Sequence, residues 1–207
     1  MLLANRRVAE YMYRVRNTSG KSSKVGSPDK DQIRSFIYRI HDLPDPEKIE
    51  GLALFLRALG YDEATLLSGH VTARDINTLL RKIEGQPEES LVKTAAVRAM
   101  SKALYSTKNI GHIGLGFQYY THFTSPIRRY PDLMVHRLLG RHLDGDRPSS
   151  EEMDEYQRIA TEASEKEMRA TEAERESVRY KQVEYMQSHI GETFEATISG
   201  VTDFGIY

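Results

Sequence analysis

Residues 2–16 place Ala4, Val8, Tyr11 and Val15 on one stripe, the three-to-four spacing of an amphipathic helix. The stretch 17–28 (NTSGKSSKVGSP) is a loop by composition. Phe36, Tyr38 and Ile40 then alternate with Ile37, Arg39 and His41, which predicts a short strand. Asp45 is placed as an N-cap with Pro46 at the first helical position. Ile49, Leu52, Leu56 and Leu59 follow as the apolar stripe, and Gly60 ends the helix. Thr72 caps another helix. Its stripe is Ile76, Leu79, Leu80 and Ile83, Val71 can staple onto Ile76, and Gly85 closes it. A further helix is predicted from about Glu88 to Leu104. In 113–123 (IGLGFQYYTHF), Ile113, Leu115, Phe117, Tyr119, Thr121 and Phe123 fall on one face of a predicted strand. Gly114, Gly116, Gln118, Tyr120 and His122 fall on the other. Residues 149–189 predict one long helix, opened by a Ser149–Glu152 capping box and interrupted by no Pro or Gly. Ala163, Ala170, Glu174 and Val178 share one stripe on it. The expected fold class is α+β, mostly helical with a few strands.

Composition adds exclusions. The 207-residue chain has no Cys, which rules out a disulfide scaffold, a thiolate zinc site and a Cys nucleophile. A reducing, cytoplasmic setting is the expectation. No run approaches the roughly 18 apolar residues of a membrane helix. The formal net charge of -1 hides segregation. Residues 1–25 hold six cations against Glu10, residues 91–142 hold eight cations against Asp132, and residues 151–189 hold eleven acids against six bases. Basic blocks of this kind suit a polyanion such as a phosphodiester backbone. The alternative is that acidic and basic segments neutralise one another within the fold.

The sharpest chemistry lies in 122–133 (HFTSPIRRYPDL). Ser125-Pro126 is a helix-start signal, yet Arg128 and Arg129 follow at once, where the helix dipole favours anions. A broken local rule often marks a functional site. Helix N–H groups beside a guanidinium fork bind phosphate well. Pro131 opens a second geometry, a turn followed by a helix from 131. One arginine is expected to meet phosphate and the other to be structural, paired with Asp132 or with the acidic helix. His112, His122, His136 and His142 lack metal-site spacing. Asp29-Lys30-Asp31 and Asp144-Gly145-Asp146 read as solvated turns. No residue order suggests a catalytic triad.

The segment HFTSPIRRYPDL, followed by His136-Arg137, resembles the signature of the RNase II/RNase R exoribonucleases in their RNB catalytic domain. MLLANRRVAE (1–10), YRIHDLPDPEKI (38–49), GHIGLGFQYYTHF (111–123) and ATEAERESV (170–178) resemble further family segments in the family's order. GETFEATISGVTDFGIY (191–207) resembles the opening strands of an S1 domain, an OB-fold that binds RNA.

The resemblance implies hydrolytic, magnesium-dependent degradation of single-stranded RNA from its 3′ end. Arg128 would contact the scissile phosphate and stabilise transition-state charge, and Glu174 would sit near the 3′-terminal nucleotides. Asn5, Arg39, Tyr119, Tyr120, His122, Ser125 and Arg129 would lie around the RNA channel. Residues 1–189 are expected to form the C-terminal portion of an RNB domain, and residues 190–207 the truncated start of an S1 domain. The family's metal-holding aspartates would precede Met1, so no metal ligand is assigned here and the chain alone is expected to be inactive. The remainder of the catalytic domain, with the flanking cold-shock and S1 domains, is the implied partner. A non-catalytic RNA-binding module and a helical interaction protein are the competing readings.

Overall fold

The computed structural model describes residues 1–18, 36–61, 71–146, 148–196, 198, 201–202 and 205–206. Asp29-Lys30-Asp31 and most of the expected 17–28 loop lie outside them. Six helices and four short strands are described: α1 (Leu2–Thr18), β1 (Tyr38–Ile40), α2 (Pro46–Ala58), α3 (Ala73–Lys82), α4 (Glu89–Ala99), β2 (Leu104–Ser106), α5 (Tyr130–Leu143), α6 (Ser150–Gln187), β3 (Val201–Thr202) and β4 (Gly205–Ile206). The class is α+β and mostly helical. Two compact units divide within α6, Met1–Ser164 and Glu165–Tyr207.

The first unit contains two apolar clusters. One is a three-helix corner in which α2, α3 and α4 bury Ile49, Leu52, Leu56, Ile76, Leu79, Ile83, Val92 and Ala96. Its helix ends are set by local chemistry. Asp45 accepts from the Glu47 N–H at 3.1 Å with Pro46 just inside the helix. Gly60, at φ +86°, lets the chain turn back so that Gly60 N–H reaches Arg57 O and Tyr61 N–H reaches Leu56 O. Thr72 and Asp75 form a reciprocal capping box on α3.

The other cluster gathers Ala9 and Met12 of α1, Phe36 to Tyr38, Tyr105, Met134, Val135 and Leu138 of α5, and Ala160 of α6. β1 and β2 pair antiparallel at its edge, Tyr38 opposite Ser106 and Ile40 opposite Leu104. Arg141 joins α5 to the start of α6 through Asp146 at 2.6 Å and Glu152 at 2.7 Å. Glu152 also closes the expected capping box with Ser149.

Three expectations are corrected in the first unit. The buried face of α1 is Asn5–Ala9–Met12, whereas Ala4 and Tyr11 are exposed. The core-facing stripe is therefore rotated by about one residue, because a buried asparagine occupies an apolar-looking slot. α4 stops at Ala99, and Leu104 belongs to β2, which pairs with β1. The segment 113–123 is not a strand. Ile113–Leu115 is one 3₁₀ turn closed by Gly116 at φ +65°, and the chain onward to Phe123 is irregular. A left-handed glycine ends the extended run that the alternation suggested.

In the second unit α6 exposes Val178, Tyr180, Val183, Tyr185 and Met186. Tyr185 stacks on His189 at 4.2 Å, and β3 pairs antiparallel with β4. Ala170 and Glu174 are exposed as well, so the expected packing stripe is absent beyond Ser164 among the described residues.

Leu56 is fully buried and Leu54, two residues away, is 57% exposed. Leu56→Ala is expected to cost about 2–5 kcal/mol and Leu54→Ala under about 1 kcal/mol, read from urea unfolding midpoints. Equal losses would contradict the assignment of the α2 face.

Candidate nucleic-acid interface

The Ser125–Tyr130 corner takes the second of the two geometries open to it. Residues 126–128 form a turn, and the backbone N–H groups of Arg128 and Arg129 both donate to Ser125 O at 3.3 and 3.1 Å. Arg129 is extended at the N-cap, and α5 starts at Tyr130 with Pro131 in its first turn, where a missing N–H leaves no bond unmade. Asp132, in the same turn, suits the positive end of the helix dipole. It is completely buried. Its Oδ1 accepts two bonds, from Ser125 N–H at 2.8 Å and from Arg129 Nη2 at 2.8 Å.

The two adjacent arginines therefore differ. Arg129 is largely covered and ion-paired with Asp132. Arg128 is exposed, with only a 3.4 Å contact from its Nη2 to Ser125 Oγ, and no ion pair to it is present among the described residues. Ile127 beside it projects fully into solvent.

Segment 117–123 is tethered to this corner from the other side. Asn5 Nδ2 donates to Tyr120 Oη at 3.1 Å, and Phe123 N–H donates to Asn5 Oδ1 at 3.1 Å. Thr121 Oγ1 donates to Ile37 O at 2.7 Å, and Arg39 N–H donates to Tyr120 O at 2.9 Å. The Arg39 guanidinium lies 4.5 Å over the Tyr105 ring. Tyr119 stacks on Tyr13 at 4.1 Å. The 3₁₀ turn is built over His41, whose Nε2 donates to Ser101 O at 2.7 Å and whose Nδ1 accepts from Gly114 N–H at 3.2 Å. A Cβ on Gly114 would stand 2.6 Å from that Nδ1, so only glycine permits the approach.

Two imidazoles here are held neutral. Burial pushes His122 down to about 3, helped by the nearby Arg129 and Arg39 charges. Its Nδ1 is hydrogen-bonded to the Tyr105 hydroxyl at 2.7 Å. Burial also pushes His112 down to about 4, with His41 and Arg39 adding to the effect.

The RNB domain family model matches residues 1–145. The chain belongs to the RNB domain family. Ribonuclease R of Aquifex aeolicus is 42% identical over 172 residues, covering 83% of this chain and 24% of that protein. Ribonuclease R of Thermotoga maritima is 38% identical over 211 residues, covering 99% of this chain and 28% of that protein. Mycoplasma genitalium RNase R in complex with ribose methylated single-stranded RNA superposes with a TM-score of 0.77 at 30% identity, covering 100% of this chain and 30% of that one. The RNB chain thus spans about a quarter of the length of the curated relatives it matches.

Within this RNB chain the predicted residues separate by exposure. Arg128 is exposed. Arg39, Tyr119, His122, Ser125 and Arg129 are half-buried, while Asn5 and Tyr120 are buried against each other. Glu174 is exposed on α6 in the second unit. Sequence reading gave Asp132 only the place of a possible ion-pair partner and missed its bond to Ser125. The available signal was an acid three residues after Arg129, in the first turn of a helix. It also missed His41, whose role depends on Ser101 and Gly114, 60 and 73 residues away. The magnesium that the family resemblance implies finds no fit here. Among the described residues no group of three or more His, Asp or Glu side chains could hold a metal ion.

The neutral imidazoles give a pH prediction with a definite sign. The unfolded chain protonates these rings near 6.5, whereas the folded chain resists until about 4 and 3. Their contribution is therefore complete above about pH 6.5 and declines as pH falls toward 4. The melting temperature should drop across that window, and His122→Asn should flatten part of the drop while lowering stability at pH 7. An identical pH profile in the variant would contradict a neutral, buried His122.

Proposed function

We propose that this chain is the RNA-gripping portion of a hydrolytic 3′-to-5′ exoribonuclease acting on single-stranded RNA. The observation that carries the reading is the division of labour between Arg128 and Arg129. One guanidinium is spent on an internal carboxylate and the other is held outward from a braced turn. A planar guanidinium at a helix entrance matches a phosphate in charge and in fork geometry. Charge developing on that phosphate during hydrolysis would be met by a donor already in place.

Support comes from the RNB match and from Mycoplasma genitalium RNase R, which was solved with single-stranded RNA. The half-buried Tyr119 and Arg39 are the companions proposed along the strand path, and Glu174 is proposed near the RNA end. Magnesium, held by aspartates outside these 207 residues, an S1 domain opening near residue 190 and a cytoplasmic location complete the reading.

Binding of single-stranded RNA, followed by fluorescence anisotropy between 50 and 200 mM salt, should weaken as salt rises. Arg128→Ala should lower the affinity and reduce the log–log salt slope by about 0.7, the loss of one phosphate contact. Unchanged affinity and slope would overturn the assignment. In the full-length protein the same substitution is expected to cut turnover by about 10²–10³-fold.

A further inference from the structure

We infer that Asp132 is a positioning residue for RNA, acting through Arg128 without touching the ligand itself; this rests on the reading of Arg128 given above. Three features carry it. The first is convergence: Ser125 N–H and Arg129 Nη2 both donate to the single oxygen Oδ1. Ser125 in turn accepts the backbone N–H groups of Arg128 and Arg129 and lies against the Arg128 guanidinium. The carboxylate thus clamps both ends of the turn that carries Arg128.

The second feature is cost. A carboxylate placed for stability alone would take the guanidinium fork through both oxygens. Here Asp132 Oδ2 and Arg129 Nε are buried without partners, an expense of the kind that folded chains seldom keep without a reason. Oδ1 alone carries both bonds, and the second half of the fork is left unmade. The third feature is electrostatic. Pairing with Asp132 turns Arg129 inward, so the corner presents one guanidinium to solvent instead of two. A single phosphate is then met by one defined cation.

The test is a double-mutant cycle on the 207-residue chain, with single-stranded RNA affinity read by anisotropy and folding checked by thermal unfolding. Asp132→Asn should reproduce most of the affinity loss and slope change caused by Arg128→Ala. In an Arg128→Ala background it should add no more than about twofold, the non-additivity expected of coupled sites. A residue that merely stabilised the fold would weaken binding to the same degree in both backgrounds, and that outcome overturns the inference while leaving Arg128 in place. No effect of Asp132→Asn beside a clear effect of Arg128→Ala also overturns it. If Arg128→Ala itself changes nothing, the RNA-gripping reading and this inference fall together. Should Asp132→Asn fail to fold, Arg129→Ala keeps the Asp132–Ser125 bond and takes its place. Its smaller loss must likewise vanish in the Arg128→Ala background, and a loss that persists there overturns the inference.

Discussion

A carboxylate with no solvent exposure has to be met by charge or hydrogen bonds, and the Asp132 carboxylate is met by both on one oxygen. That requirement links events at very different scales. Met134, Val135 and Leu138 draw α5 into the core of the first unit. Burying the helix carries Asp132 inside with it. Once inside, Asp132 draws in Ser125 N–H and the Arg129 guanidinium, and the turn between them closes. Arg128 is left outside because its neighbour has already answered the buried charge. The exposed cation is therefore a product of core packing, transmitted through one acid.

Much of the framework was legible because it is governed by local chemistry. Asp45 with Pro46, the Thr72–Asp75 box, the Ser149–Glu152 box and the glycine at position 60 act within a few residues of themselves. Such signals survive whatever the rest of the chain does. That one of the two arginines is structural and can pair with Asp132 was legible too. Which of them is paired was not legible. That depends on the turn placing Arg129 in the N-cap, a geometry that the Ser-Pro and Tyr-Pro signals left open.

The failures share a different origin. In 113–123 the alternation of apolar and small residues is real, but a strand also needs a ladder partner. β2 takes one edge of β1, and on the other edge the segment makes only scattered bonds, such as Arg39 N–H to Tyr120 O, because it turns aside to wrap the His41 ring. Gly114 is there for the close approach of that imidazole, and Gly116 for its left-handed backbone. Neither need shows in periodicity. The rotated face of α1 has a similar cause. Asn5 is polar by composition, yet it satisfies both halves of its amide on Tyr120 and Phe123, more than a hundred residues away. A buried polar residue that finds all its partners behaves as core, and no helical-wheel argument can foresee partners so distant.

The same distant contacts settle what charge the corner presents. His122 stands close enough to Arg129 and Arg39 to feel both, and burial adds to their effect, so the ring is neutral throughout the physiological range. His112 is held neutral for the same reasons. Guanidinium charge is permanent under those conditions. A polyanion arriving at this surface meets a field set by arginines, with no contribution from these two rings that rises or falls with a unit of pH. His122 packs edge-on against Tyr105 and hydrogen-bonds to its hydroxyl, whereas His112 packs edge-on against Tyr120 and buries its Nδ1 without a partner.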